Sequence, residues 1–164
     1  MKLKTGAKVL LHSVKKPELF GVAKLNSKNK IIQIKEKPKK FVSNYAITGL
    51  YFFDNNVVKY AKKLKPSKRG ELEIIDLIMK YKKINKLSSD FIGRGGAWLD
   101  TGSIENYYKT SVFVQAIQDR QGVKIACIEE IALLNKWITK KEIAKQILFY
   151  GNCEYSNYLK EISK

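Results

Sequence analysis

The fold is decided by the stretch Asn44-Tyr45-Ala46-Ile47-Thr48-Gly49-Leu50-Tyr51-Phe52-Phe53. Apart from Asn44, Thr48 and Gly49, every residue in it is apolar or aromatic. A nearly continuous apolar run of this length predicts a strand that is buried on both faces. Gly49, inside the run, predicts a close approach by the backbone or by a ligand.

Three shorter strands are predicted on the N-terminal side of this stretch, over residues 6–14, 21–26 and 30–36. The polar link 26–29 between the second and the third favours a hairpin. On the C-terminal side, a helix is predicted over about 55–64 and a second over about 70–83, followed by an extended segment at 86–92. The second helix has a clear apolar stripe, made of Ile74, Leu77, Ile78 and Tyr81.

The remainder of the chain, from about 103 to 164, is predicted to be mainly helical. Apolar residues repeat every four positions from Ile104 to Ala116, and Gly122 ends that helix. Thr139 and Glu142 form a capping box that opens another helix. Strands in the first half and helices in the second predict an α/β fold, with a mixed sheet, flanking helices and a helical C-terminal region.

The length of 164 residues suits one domain, and no linker interrupts it, so residues 1–164 are predicted to form a single domain. No apolar run approaches the ~18 residues of a membrane helix. The first residues lack the apolar core of a secretory signal, so we expect a cytoplasmic protein without membrane association. Two cysteines and one histidine, His12, leave little material for a zinc site or for Ser-His chemistry.

The net charge of +17 first suggests a nucleic-acid partner. However, only three of the 32 basic residues are arginines, the side chains that fork onto phosphates and bases. The lysines are scattered along the whole chain, which favours a general lysine bias over a nucleic-acid face. We therefore expect no specific nucleic-acid partner, and only weak, salt-sensitive binding to polyanions.

Three short segments could carry chemistry, and each has a plainer alternative. Glu36 and Lys37 end a strand, where they could bind the hydroxyls and the phosphate of one ligand, or could simply be an exposed strand end. Asp100 lies between an apolar segment and Gly102, where it could bind Mg²⁺ or could cap the following helix. Arg69 precedes Gly70 at a predicted helix start, where it could hold an anion or belong to a charge pair.

Taken together, these segments resemble glucose-1-phosphate thymidylyltransferases, a family of sugar nucleotidylyltransferases. The resemblance extends from about Thr5 to the end of the chain and rests on segments in a fixed order: Pro17–Val22, Glu36–Pro38, Ser43–Tyr51, Lys65–Ile74, Gly93–Gly102, Arg120–Gly122 and Glu129–Ala132. It implies the C-terminal part of a Rossmann-like nucleotidyltransferase domain. It also implies an Mg²⁺-dependent transferase that makes dTDP-glucose and pyrophosphate from dTTP and glucose 1-phosphate, a step in nucleotide-sugar and cell-surface polysaccharide biosynthesis.

Family members also carry a glycine-rich nucleotide-binding signature, a lysine after it, and an aspartate in a Gly-Asp-Asn segment. None of these occurs in this sequence. The sequence is therefore expected to be a truncated, sugar-binding portion of the enzyme, inactive alone and partnered by a separate N-terminal fragment or by further copies, since the family forms tetramers.

The resemblance also implies roles for individual residues. Lys37 and Arg69 would hold the sugar phosphate and take part in catalysis, and Asp100 would be a ligand of Mg²⁺. The substrate pocket would be lined by Phe20, Gly21, Glu36, Lys37, Ile47, Tyr51 and Arg69. An effector site for the nucleotide-sugar product would use Gly93, Arg94, Glu130 and Ile131, although Leu134 stands where the family has an arginine.

Two other functions stay open on the sequence alone. The chain could be a non-catalytic remnant or a regulatory partner of complete subunits. A basic nucleic-acid-binding module is the third alternative.

Overall fold

The computed structural model describes residues 3, 5–67 and 70–164 of the chain. These residues divide into two compact units, Met1–Trp98 and Leu99–Lys164. Within the described ranges, no helix has the length and the apolar character that crossing a membrane requires. The prediction of a single domain over 1–164 is not tested by this division and stays a prediction.

Among its described residues, the first unit contains a five-stranded mixed sheet, two α-helices and a short 3₁₀ helix at Pro17–Leu19. Its strands are β1 (Ala7–Ser13), β2 (Gly21–Leu25), β3 (Ile31–Glu36), β4 (Tyr45–Phe53) and β5 (Leu87–Phe91), and its helices are α1 (Asn56–Ala61) and α2 (Ile74–Lys83). The strand order is β3-β2-β4-β1-β5. Of the four strand pairs formed by described residues, β1–β5 is parallel and the other three are antiparallel, including the predicted β2–β3 hairpin.

The core of this unit lies between one face of the sheet and α2. Alternate residues of β1 point to this face because side chains alternate along a strand, and Val9 and Leu11 are fully buried there. The predicted stripe of α2 supplies Leu77, Ile78 and Tyr81, all of them buried. The apolar residues that recur every second position in β1 and about every 3.6 positions in α2 therefore pack against each other at this interface.

The strand β4 differs from its prediction in two respects. Leu50 and Phe52 are 52% and 40% exposed, so the strand is not buried on both faces. The reason is that α2 covers only the face that carries Ile47 and Tyr51. Gly49 shows no close approach either, since a Cβ atom there would have nothing within 4 Å.

Gly49 instead lies in a bulge of β4. Val9 of β1 pairs with Tyr51, and Leu11 pairs with Ile47, so two residues along β1 correspond to four residues along β4. Gly49 has φ +83, a left-handed conformation that glycine adopts without steric cost. The glycine is therefore explained by its backbone conformation.

A buried carboxylate joins the N-terminal segment to β4 and α2. Asp54 accepts hydrogen bonds from the Gly6 amide at 2.7 Å and from the Tyr81 hydroxyl at 2.8 Å. The Asn56 amide donates a third, at 3.0 Å. The bond from Gly6 is the largest contribution to lowering the pKa of Asp54 to about 2; burial opposes it and the bonds from Tyr81 and Asn56 add to it.

The second unit contains four helices, namely α3 (Ile104–Gln121), α4 (Ile128–Leu134), α5 (Lys140–Tyr150) and α6 (Glu154–Ile162). Gly122 ends α3 with φ +66, and the Thr139 amide donates to Glu142 at 2.7 Å in the predicted capping box. The four-residue repeat of α3 is not buried, and Ile104 is 91% exposed. The core of this unit is formed by Cys127, Ile143, Tyr158 and Leu159.

The sequence-based fold class is confirmed, since the structure has a mixed sheet, flanking helices and a helical C-terminal region. Two helix boundaries were wrong by several residues, because α2 begins at Ile74 rather than at about 70 and α1 ends at Ala61 rather than at about 64.

We expect Asp54→Asn to lower Tm at pH 7 by about 4 °C or more, because a hydrogen-bonded charge is lost. Since the folded pKa is depressed, the ionised carboxylate stabilises the fold above about pH 4, and this contribution is lost as the pH falls towards 2. The Tm difference between variant and wild type should therefore shrink between pH 4 and pH 2. Tyr60→Phe is the control, because the Tyr60 ring packs on Tyr81 without bonding Asp54. A difference independent of pH would contradict this role.

Candidate functional site

Glu36 and Gly21 face each other at one end of the β2–β3 hairpin. They are directly paired in the register. A Cβ atom on Gly21 would lie 2.7 Å from Glu36 Oε2 and 3.5 Å from Ile75 Cδ1. The missing side chain therefore leaves room for the Glu36 carboxylate above the strand, on the face that α2 covers. The structure brings these two predicted residues together.

Tyr51 is the third member of this group. It is half-buried on the same face of the sheet as Ile47, which packs in the core. Burial raises the pKa of the Tyr51 hydroxyl, and the negative charge of Glu36 raises it further. The phenol thus stays neutral near Glu36, where it can donate a hydrogen bond to a polar ligand.

Lys37 follows Glu36 directly and is exposed. Its amide donates to the Phe20 carbonyl at 3.1 Å, which closes the end of the hairpin. Its φ is +37, in the left-handed region that non-glycine residues rarely adopt. Strain of this kind persists where the surrounding structure imposes it, and such positions cluster at functional sites.

An aromatic group that sequence reasoning missed lies beside the hairpin end. The Trp98 ring packs edge-on against Phe20, with centroids 5.0 Å apart, and lies 5.8 Å from His12. Its indole N–H donates to the Thr48 carbonyl at 3.0 Å, beside the bulge of β4. Trp98 therefore anchors Phe20, the predicted aromatic residue of the pocket. The only signal in the sequence was its place in the segment Gly93–Gly102.

Arg69 lies outside the described residues, so its predicted role stays a prediction. Among the described residues on either side, the Gly70 amide donates to the Ser67 carbonyl at 2.9 Å, and Gly70 has φ +80. The helix α2 begins at Ile74, four residues after Gly70. The predicted start of this helix at about residue 70 was therefore wrong.

Asp100 belongs to the second unit, and the structure decides whether it caps the following helix. The cap of α3 is Ser103, whose Oγ accepts from the Asn106 amide at 3.2 Å. The exposed Asp100 carboxylate lies 3.3–3.4 Å from the position of a Cβ on Gly102, and no described residue donates a hydrogen bond to it. Asp100 is thus free for a ligand, and the capping prediction was wrong.

The four predicted effector residues are divided between the two units. Gly93 and Arg94 lie in a turn of the first unit, which the Gly96 amide closes by donating to the Gly93 carbonyl at 2.8 Å. In the second unit, Ile131 lines a cavity of about 700 Å³, and the Glu130 carboxylate accepts from the Tyr158 hydroxyl at 2.6 Å. The effector role of all four stays a prediction.

Glu129 is a buried carboxylate beside this cavity that sequence reasoning did not assign. The hydroxyls of Tyr155 and Tyr150 donate to its two oxygens at 2.5 and 3.1 Å. Burial acts to raise the pKa of Glu129, but these bonds outweigh it, and the pKa is lowered. The tyrosines lie too far along the chain for sequence spacing to reveal the cluster.

Among the described residues, no three His, Cys, Asp or Glu side chains come together as a metal site. Mg²⁺ needs only one or two protein carboxylates, because it keeps waters and binds phosphate oxygens. The exposed Asp100 carboxylate is an oxygen ligand of the type that Mg²⁺ prefers, and its role as a metal ligand stays a prediction.

The chain belongs to the Nucleotidyl transferase family, whose sequence model matches residues 2–117. It is 44% identical over 159 residues to a glucose-1-phosphate thymidylyltransferase of Neisseria meningitidis serogroup A, covering 97% of this chain and 55% of that protein. The same enzyme of Mycobacterium tuberculosis strain H37Rv is 34% identical over 158 residues, with coverages of 96% and 55%. The chain therefore spans about half the length of these relatives.

Solved structures agree with the family. A Bacillus anthracis structure assigned as a glucose-1-phosphate thymidylyltransferase, with sucrose bound, matches with a TM-score of 0.60 and 46% identity, over 67% of this chain and 44% of that one. A UDP-glucose pyrophosphorylase bound to UDP-glucose matches with a TM-score of 0.58 and 23% identity, over 70% and 45%. The second match supports the fold alone. The resemblance inferred from the sequence is confirmed.

Strain at Lys37 can be measured by comparing Lys37→Gly with Lys37→Ala. Both variants lose the ammonium group, but only glycine adopts a positive φ without steric cost. We expect the glycine variant to be more stable by about 0.5–1 kcal/mol, since its greater freedom in the unfolded chain offsets part of the ~1–2 kcal/mol relieved. Chemical denaturation measures the difference. Equal stability of the two variants would show that the backbone at Lys37 is unstrained.

Proposed function

We propose that this chain is the sugar-phosphate-binding portion of a glucose-1-phosphate thymidylyltransferase. The observation that carries the proposal is the meeting of Gly21, Glu36 and Tyr51 at one end of the sheet, with Lys37 next to them. The identity of 34–44% to enzymes of that name supports it.

The polar groups of this site suit a sugar phosphate. The Glu36 carboxylate accepts hydrogen bonds from sugar hydroxyls, and the Tyr51 hydroxyl donates one. The absent side chain of Gly21 leaves room for the Glu36 carboxylate that meets the sugar, and Phe20, held by Trp98, supplies an aromatic wall. Lys37 and Arg69 neutralise the phosphate, with lysine acting as a point charge and arginine as a fork.

In the proposed reaction, a phosphate oxygen of glucose 1-phosphate forms a bond to the α-phosphorus of dTTP. The bond from that phosphorus to the oxygen bridging to the β-phosphorus breaks, and pyrophosphate leaves. No general base is required, because the attacking phosphate is already a dianion. Catalysis then depends on positioning two anions and neutralising their charge, which matches the lysine and arginine of this chain.

Asp100 is proposed to hold Mg²⁺ together with phosphate oxygens of the nucleotide. The ion would neutralise charge on the triphosphate. Asp100 would position it through one carboxylate, as its exposed and unpaired side chain permits.

Several further features are proposed from the family alone. These are a cytoplasmic location, a tetrameric assembly, supply of precursors for cell-surface polysaccharides, and product control through Gly93, Arg94, Glu130 and Ile131. Leu134, which is 75% exposed at the end of α4, replaces the family's arginine and would weaken that control.

Complementation tests the proposal. The 164 residues contain no glycine-rich nucleotide signature, so we expect no dTDP-glucose synthesis by the chain alone. Addition of the N-terminal half of a relative should restore turnover, measured as pyrophosphate release with glucose 1-phosphate and dTTP. The same half without this chain is the control. Turnover by the chain alone would contradict its predicted dependence on the N-terminal half. If gel filtration shows that the two pieces form a complex and the mixture still has no turnover, the proposed function is contradicted.

Variants of the complemented complex separate the roles of Lys37 and Asp100. Lys37→Ala should raise the KM for glucose 1-phosphate, because the phosphate charge is present in the ground state as well. Asp100→Asn should lower kcat by about 100-fold at unchanged Tm, the scale of losing one electrostatic stabiliser.

Ser103→Ala is the matched control for Asp100. It removes the cap of α3, at a cost of about 1 kcal/mol, and should leave kcat within about twofold. A normal kcat for Asp100→Asn would remove Asp100 from the reaction.

A further inference from the structure

A groove of about 350 Å³ runs along the solvent side of α2. One wall is a single stripe of that helix, with residues spaced i, i+3, i+4 and i+7, opposite the stripe that packs on the sheet. The other wall is the segment that follows α1. The lining residues are Lys63, Leu64, Lys65, Asp76, Met79, Lys80 and Lys83.

The groove concentrates positive charge. Four lysines and one aspartate line it, which leaves a formal charge of +3 around a cavity of this size. Throughout the part of the chain that the structure describes, none of these four ammonium groups forms an ion pair, even with Asp76. Like charges held together in this way repel each other, and the repulsion is relieved when an anion binds between them.

Helix dipoles explain only part of this arrangement. Lys80 and Lys83 lie in the last turn of α2, where the partial negative charge of the carbonyl groups favours cations. Lys63 and Lys65 belong to the opposite wall, where Lys63 directly follows the C-cap residue of α1 and Lys65 lies two residues further on. Their convergence on the same groove therefore points to a ligand.

We propose that this groove binds a compact polyphosphate anion, either inorganic or carried by a nucleotide. The volume falls within the range of about 300–1,000 Å³ that small-molecule sites occupy. Lysine binds phosphates as a point charge, which suits an anion with several charged groups in a row. The half-buried Leu64 and Met79 form an apolar floor against which the rest of a nucleotide can pack.

This site is distinct from the candidate sugar-phosphate site. Ile75, which contacts Gly21, lies at the start of α2 and on its sheet-facing side. Lys83 is eight residues further along, or about 12 Å at 1.5 Å per residue, and on the solvent side. The proposal therefore goes beyond the proposed function and does not depend on it.

Calorimetric titration with sodium triphosphate tests the proposal. We expect the 164-residue chain to bind triphosphate at least about tenfold more tightly than orthophosphate, with an affinity that falls as salt is added. The double variant Lys63→Gln/Lys80→Gln should weaken binding by about tenfold. The double variant Lys28→Gln/Lys30→Gln is the control, since it removes the same charge from the β2–β3 turn, and it should bind within about twofold of wild type.

The nature of the anion is decided by a parallel titration with dTTP. If dTTP binds more tightly than triphosphate does, and this binding is lost in the variant Lys63→Gln/Lys80→Gln, the ligand is a nucleotide. If dTTP binds more weakly than triphosphate does, the ligand is an inorganic polyphosphate. The four lysines that the two double variants replace are all exposed, so both variants should keep the wild-type circular dichroism spectrum.

Three results would overturn the proposal. Equal loss of affinity in the two double variants would show that triphosphate responds only to the net charge. An affinity for triphosphate no greater than that for orthophosphate would exclude a polyphosphate site. Tighter binding of a single-stranded oligonucleotide through Lys63 and Lys80 would assign the groove to nucleic acid instead.

Discussion

The antiparallel pairing of β1 with β4 is the constraint on which the first unit depends. β1 joins β5 to the sheet, and β4 joins the β2–β3 hairpin to it, so every other strand is attached through this pair. The buried face of the pair receives α2, and the Asp54 cluster fixes the position of α2 at the end of β4. If this pairing slipped by one residue, the face with Val9 and Leu11 would turn to solvent.

The same pairing places the candidate site. Ile47 and Tyr51 lie four residues apart on β4 and so share a face, and the bulge at Gly49 between them pairs both with the buried residues Leu11 and Val9 of β1. Through the pairing of Val22 with Ala46, β2 is then fixed so that Gly21 and Glu36 lie within electrostatic reach of Tyr51. The strained backbone of Lys37 and the Trp98–Phe20 contact lie at the hairpin end. A rigid sheet thus holds residues that come from four separate segments of the chain.

The charge of the chain also has a spatial order that its composition hides. Lysines appear scattered along the sequence, yet four of them converge between α2 and the segment after α1. The convergence arises because a helix returns to the same side every three or four residues, while the sheet fixes which side faces solvent. The net charge of the chain therefore bears on its association with anions in general, whereas the groove is a particular place where an anion can bind.

The sequence by itself determined the element types, the fold class and the family, because these follow from local periods and from short motifs in a fixed order. It identified Glu36, Lys37 and Tyr51 as candidates and Gly122 as a helix end. The structure showed that Ser103, and not Asp100, caps α3 through a local bond from Asn106, and only the pairing of β4 with β1 decided that Gly49 serves a bulge. The contact of Glu36 with Gly21, the Trp98–Phe20 pair and the lysine groove were likewise decided by strand register and helix packing. These join residues far apart in the chain, and no local pattern in the sequence specifies them.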